Sequence, residues 1–181
     1  YTFEIGYCAY CWLKNIESSS SNQRHVRGYN LFRNEFRDSF FHHVTCYIGN
    51  YGYGFSLQGH VTGTLLENNI FEALGTPVSF SNAGGGNVVA YNYFGTGIKE
   101  YPVCGKYNFI TPGGISLHGA HPVYNLFEGN VMNGFSSDFI WGSSSHNTIF
   151  RNKISGFQQD SVKQMRTIYL GKYSRYFNIL R

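Results

Sequence analysis

The residues best equipped for chemistry lie in the second half of this 181-residue chain. His118 and His121 share the segment HGAHP, where Gly and Pro punctuate the end of an apolar run. Imidazoles titrate near neutrality, so such a pair can act as general base or acid, or supply two metal ligands. Asp138 and His146 follow, and Arg151 offers a guanidinium able to neutralise a substrate carboxylate or an enolate-like charge. We assign His118, His121, Asp138 and Arg151 as candidate catalytic groups, with His146 as a substrate contact. The competing explanation is that these side chains tie turns together through hydrogen bonds to the backbone. His42 and His43 open a turn, and Asp38, Glu67 and Glu128 fall at variable positions, so they are read as surface groups.

What must position these residues is a repeat, and a repeat decides the fold before anything else. Segments starting at Asn34 (NEFRDSFF), Gly63 (GTLLENNI), Asn87 (NVVAYNYF), Asn125 (NLFEGNVM) and Asn147 (NTIFRNKI) share one form, with a degenerate copy at Cys11 (CWLKNIES). Each has Asn or Gly, an apolar residue two further on, then Asn or Ser and a second apolar residue. A companion strand travels with them: FSLQG from Phe55, VSFSN from Val78, ISLHG from Ile115, FIWGS from Phe139 and IYLGK from Ile168. Its central residues, Leu57, Phe80, Leu117, Trp141 and Leu170, are expected to point inward. Two short strands per unit of mostly 22 to 24 residues, without a helical period, exclude leucine-rich repeats and propeller blades. Stacked β-coils remain.

The expected fold is therefore all-β: a right-handed, single-stranded parallel β-helix of about six coils. It forms one domain over residues 1–181, with an inserted Gly/Pro/Tyr loop at about 95–112. Asn68, Asn92, Asn130 and Asn152 are expected to stack at an inward turn, each amide donating and accepting along the stack. Alternation then maps the surface. If Leu57, Phe80 and Leu117 face inward, Ser56, Ser79 and Ser116 form one outward row and Gln58, Ser81 and His118 the next. Such an uncharged, hydrogen-bonding face suits a sugar chain lying across the coils, so Ser56, Gln58, Ser79, Ser81 and Ser116 join His146 as candidate substrate contacts. The tyrosines of YIGNYGY (Tyr47 to Tyr53) could add a stacking platform.

The coil pattern N-x-[VILF]-x-x-N-x-[FI], carried from about Cys8 to Leu180, resembles the pectate-lyase-like superfamily of right-handed parallel β-helix proteins. HGAHPVYNLFEGN and WGSSSHNTIFRN look like stretches of large bacterial secreted β-helix proteins. The resemblance implies an extracellular polysaccharide as substrate, cleaved by β-elimination or hydrolysis. Calcium-dependent lyases of that kind surround the cation with several Asp or Glu, whereas this chain has Asp38, Asp138 and Asp160 with seven Glu, so no cofactor is assigned. The close Asp trio of polygalacturonase-like hydrolases is absent.

Composition agrees with strands and turns. Charged residues are only 13% and aromatics 18%, with 22 Gly. The net charge of +4 is scattered, which gives no nucleic-acid footprint and leaves room for an acidic partner such as a polyuronate. No apolar stretch approaches the ~20 residues of a membrane span. Cys8 and Cys11 form a Cys-x-x-Cys without a second ligand pair for zinc. Cys8, Cys11, Cys46 and Cys104 are left as buried thiols or disulfides. The chain opens at Tyr1 with no targeting segment and stops at YFNILR without a cap, so a continuation is expected. The functional expectation is a secreted or cell-surface bacterial protein acting on an acidic polysaccharide, with elimination ahead of hydrolysis. The alternative is a non-catalytic structural or adhesive β-helix.

Overall fold

A computed structural model describes residues 2–45, 52–95, 113–156 and 167–181, and every regular element among them is a strand. Seven strands form a first sheet: Phe3–Ala9, Arg24–Phe32, Tyr53–Thr62, Thr76–Ser81, Gly114–His118, Gly134–Ser137 and Ile168–Leu170. Seven form a second: Trp12–Lys14, Glu35–Arg37, Leu65–Glu67, Val88–Ala90, Leu126–Glu128, Thr148–Phe150 and Asn178–Leu180. Six form a third: Glu17–Ser21, Phe40–Val44, Ile70–Glu72, Tyr93–Phe94, Val131–Met132 and Lys153–Ile154. Each strand pairs in parallel with its counterparts in the coils before and after, for example Phe80 with Leu57 and Leu117. The chain is a parallel β-helix solenoid. The Gly/Pro/Tyr insertion and most of YIGNYGY, together with Cys46, Cys104 and Asp160, lie outside the described residues.

The eight-residue repeat is not one strand but two, broken at a sharp corner. A column of left-handed residues turns the chain from the second sheet to the third: Asn15, Asp38, Asn68, Tyr91, Gly129 and Arg151. A matching column between the first and second sheets comprises Tyr10, Arg33, Gly63, Gly86, Tyr124, His146 and Tyr176. A non-glycine residue there costs roughly 1 to 2 kcal/mol. What holds the corners is the residue that follows, whose side chain turns inward. After the first corner Asn125 donates its backbone N–H and its Nδ2 to Asn147 Oδ1 at 3.0 and 2.9 Å, and Asn87 does the same to Asn125. After the second corner Asn69, Asn92, Asn130 and Asn152 form an equivalent ladder. There are two asparagine ladders, and Asn68 belongs to neither. Thr64, not Gly63, pairs in register ahead of Leu65, which moves Asn68 to the corner, where it donates to Asp38.

Inside the walls Phe36, Phe41, Phe55, Phe71, Phe80, Phe127 and Phe135 are fully buried, each contributing about 1.5 to 3 kcal/mol. Phe41, Phe71 and Phe94 stack along the axis at 5.6 and 5.1 Å. Trp141 is not part of this core: it is 78% exposed on a turn, and Ser137 takes the inward place beside Leu117 and Leu170. A buried hydroxyl needs partners, and Ser137 has them in Ser144 at 2.5 Å and Ser174 at 3.1 Å. Cys8 and Cys11 are disulfide-bonded across the corner at Tyr10.

Candidate active site

Another left-handed column, Tyr7, Asn30, Gly59, Asn82 and Gly119, breaks the alternation of the first sheet. The residues just before it face outward in one row of neighbouring positions, Tyr29, Gln58, Ser81 and His118, while Leu31, Val61 and Ala83 after it return to the core. His118 thus ends its strand at a fixed kink. Gly119 is required there, because a Cβ would lie 2.3 Å from Asn82 Oδ1, which accepts the Ala120 N–H at 2.8 Å.

Asp138 follows Ser137, the register partner of Leu117, so it continues the outward row one coil beyond His118. Successive coils are about 4.8 Å apart, close enough for direct bonding between neighbours in the row. His118 Nδ1 and Asp138 Oδ2 are 2.5 Å apart, and Asp138 Oδ1 accepts the Ile140 N–H at 3.0 Å. An ionised carboxylate only accepts, so Nδ1 carries the proton and Nε2 is the nitrogen left for chemistry. The hydrogen bond to Asp138 raises the imidazole above its ordinary value, against the opposing effect of partial burial. A base oriented and strengthened in this way is suited to taking a proton near neutral pH.

The rest of the expected sugar-binding face divides. Gln58 and Ser81 are half-exposed in the row of His118, whereas Ser56, Ser79 and Ser116 are only 2 to 6% exposed, closed off from solvent although they point away from the core. Gln58 Nε2 donates to Ser56 Oγ at 3.0 Å, linking the two rows. The accessible strip is narrower than alternation alone predicts.

His118 and Asp138 meet, but the other candidates stand elsewhere. His121 is exposed at a left-handed position two residues past Gly119, its N–H bonded to the Ser143 carbonyl at 3.1 Å. His146 is stacked between Tyr124 and Tyr176 at 5.0 and 4.6 Å in the first corner column. Arg151 occupies the other corner, bonded to Glu128 and lying over the Phe150 ring. Neither ring nor guanidinium joins the His118 pair.

One histidine escapes sequence reasoning altogether. His25 is fully buried at the start of Arg24–Phe32, between Ser18 Oγ at 2.7 Å and the His43 carbonyl at 3.1 Å. Its Nε2 must donate to that carbonyl, and in the neutral ring Nδ1 then accepts from the Ser18 hydroxyl. Burial lowers its pKa to about 4. Nothing in ESSSSNQRHV sets this residue apart from an ordinary strand position. Among the described residues no group of three or more His, Cys, Asp or Glu is placed to hold a metal ion, and no helix is long and apolar enough to cross a membrane. No known protein family, curated protein or solved structure matches the chain.

Proposed function

We propose that the chain is a carbohydrate-active β-helix protein of the pectate-lyase-like kind, secreted or displayed at a bacterial surface, that cleaves an acidic polysaccharide by β-elimination. The observation that carries this reading is the His118–Asp138 pair on an outward strip of the first sheet. Neutral His118 takes the proton on the carbon next to the uronate carboxylate. The electron pair of that C–H bond becomes the new C=C bond as the neighbouring C–O bond breaks. The glycosidic oxygen leaves with the adjoining sugar and takes a proton from water. One product carries an unsaturated uronate end, the other a new reducing end. Gln58 and Ser81, aligned in the same row, offer an amide and a hydroxyl to the sugar chain.

Hydrolysis fits less well because it uses two carboxyl groups about 5 to 9.5 Å apart. Asp138 is the one carboxylate in this row among the described residues, and both its oxygens are engaged. The test is incubation with polygalacturonate, alginate and related polymers. Unsaturated ends should accumulate, and His118→Ala should lower their rate by about 10²- to 10⁴-fold, the usual worth of a positioned base. Neither unsaturated nor reducing ends from the intact chain would overturn the reading. A non-catalytic rod is the second reading, favoured by the two asparagine ladders and the closed serine row. It would then take over.

A further inference from the structure

Directly after Asp138 the chain leaves three large apolar side chains in solvent. Phe139 and Ile140 are exposed and Trp141 is 78% exposed, at a left-handed position. Tyr173, 71% exposed, holds a left-handed position on the matching turn of the next coil. Contiguous exposed apolar groups of this kind mark binding sites on soluble proteins, and rings with a polar tip suit ligands that are apolar on one face and wet at the edge.

Three successive turns are stacked here. Gly142 packs so closely on the HGAHP turn that a Cβ would meet the Ala120 Cα at 2.7 Å, and the His121 N–H reaches the Ser143 carbonyl. On the other side Gly171 packs under Phe139, where a Cβ would meet the ring at 2.9 Å. Lys172 Nζ then lies 5.7 Å from the centre of that ring and forms no ion pair among the described residues. The Ile140 N–H is bonded to Asp138 itself. The turn therefore continues the His118–Asp138 strip without a gap.

Resting on the reading of His118 as an elimination base, we infer that this turn is the subsite for the sugar next to the cleaved bond, and that it selects uronates. The Trp141 ring packs against the C–H face of a pyranose, with Tyr173 alongside. Lys172 meets the carboxylate of that sugar, supplying a cation that a neutral glycan would leave unused. The neighbouring unit then lies over His118. Specificity for acidic chains arises at Lys172 and not at Arg151, which is engaged by Glu128 at another corner.

The chain has two tryptophans, Trp12 and Trp141, so Trp12→Phe leaves Trp141 as the reporter of its own subsite. Its fluorescence should change saturably on titration with oligogalacturonate and little with a neutral oligosaccharide of equal length. Lys172→Gln should weaken the uronate affinity about tenfold and flatten its salt dependence. Calorimetric titration of the unsubstituted chain gives the same affinities without the Trp12 substitution. In turnover, Trp141→Ala should raise KM about tenfold with kcat changed less than twofold, circular dichroism showing an unchanged fold. The inference falls if His118-dependent cleavage persists with an unaltered KM in both variants, which would leave the elimination reading standing. Uronate binding that depends on Lys172 without cleavage of any polymer keeps the turn as a uronate site and overturns its place beside a cleaved bond. Absence of both binding and cleavage overturns the two together.

Discussion

Two histidines at strand ends of the same sheet are treated in opposite ways. His25 opens Arg24–Phe32 inside the wall, with both ring nitrogens committed and the charged form suppressed. His118 closes Gly114–His118 on the outside, with one nitrogen held by a carboxylate and the charged form favoured. Their neighbours in sequence differ, Arg24 before His25 and Leu117 before His118, but those neighbours do not set how each ring titrates. The wall does. A solenoid offers every side chain one of two media, and the same imidazole becomes a structural dipole in one and a titratable base in the other.

Removing each ring in turn separates the two roles most directly. Besides abolishing most of the cleavage rate, His118→Ala should leave stability within about 0.5 kcal/mol, the usual range for surface substitutions. His25→Ala should do the reverse. It strands the Ser18 hydroxyl and the His43 carbonyl and opens a cavity, together costing about 2 to 4 kcal/mol in urea unfolding. A midpoint unchanged by His25→Ala would mean that this buried ring is dispensable and that the contrast drawn here is one of location only.

Acid titration sharpens the contrast next. The unfolded chain protonates His25 near 6.5 and the folded chain only near 4. Above 6.5 both states hold the ring neutral. As pH falls from 6.5 towards 4 the unfolded state alone gains the proton, so folding loses up to about 3 kcal/mol and then levels off. His118 has the opposite sign: its pKa is raised on folding, so its small contribution is present below 6.5 and is lost as pH rises through the folded value. In urea unfolding at stepped pH, His25→Gln should flatten the acid limb and His118→Gln should not. An acid limb that persists in His25→Gln would place the destabilising proton elsewhere.

Much of this was legible from spacing alone, and its failures are local. The 20-residue step from His118 to Asp138 is one coil, so spacing alone pairs them. The third sheet was not legible, because its corner is made by backbone sign, and the left-handed places are filled by Asn, Asp, Tyr, Arg and Gly alike. The misplacement of Asn68 came from two adjacent asparagines, either of which fits the pattern. That of Trp141 came from FIWGS, whose apolar alternation is stronger than that of GFSS, the true strand. Ser137 succeeds at an inward place only because two distant hydroxyls satisfy it. The closed serine row and the neutral His25 depend on neighbours remote in sequence, which a repeat pattern does not encode.

Asp138→Asn carries the smallest expected effect and refines the comparison most. The substitution keeps an oxygen for the Ile140 N–H and one facing group for His118 Nδ1, but removes the charge. Because His118 and Asp138 are both partly exposed, solvent screens the pair, and folding should lose less than about 1 kcal/mol. The catalytic signature is separate from that loss. With the carboxylate gone the His118 pKa falls back towards its ordinary value, so the rising limb of cleavage rate against pH should move to lower pH while the plateau drops, a weaker base being a poorer proton acceptor. A limb that stays in place as the plateau drops would make Asp138 a steric support only, and the elevated basicity of His118 would then have to come from another neighbour in the strip.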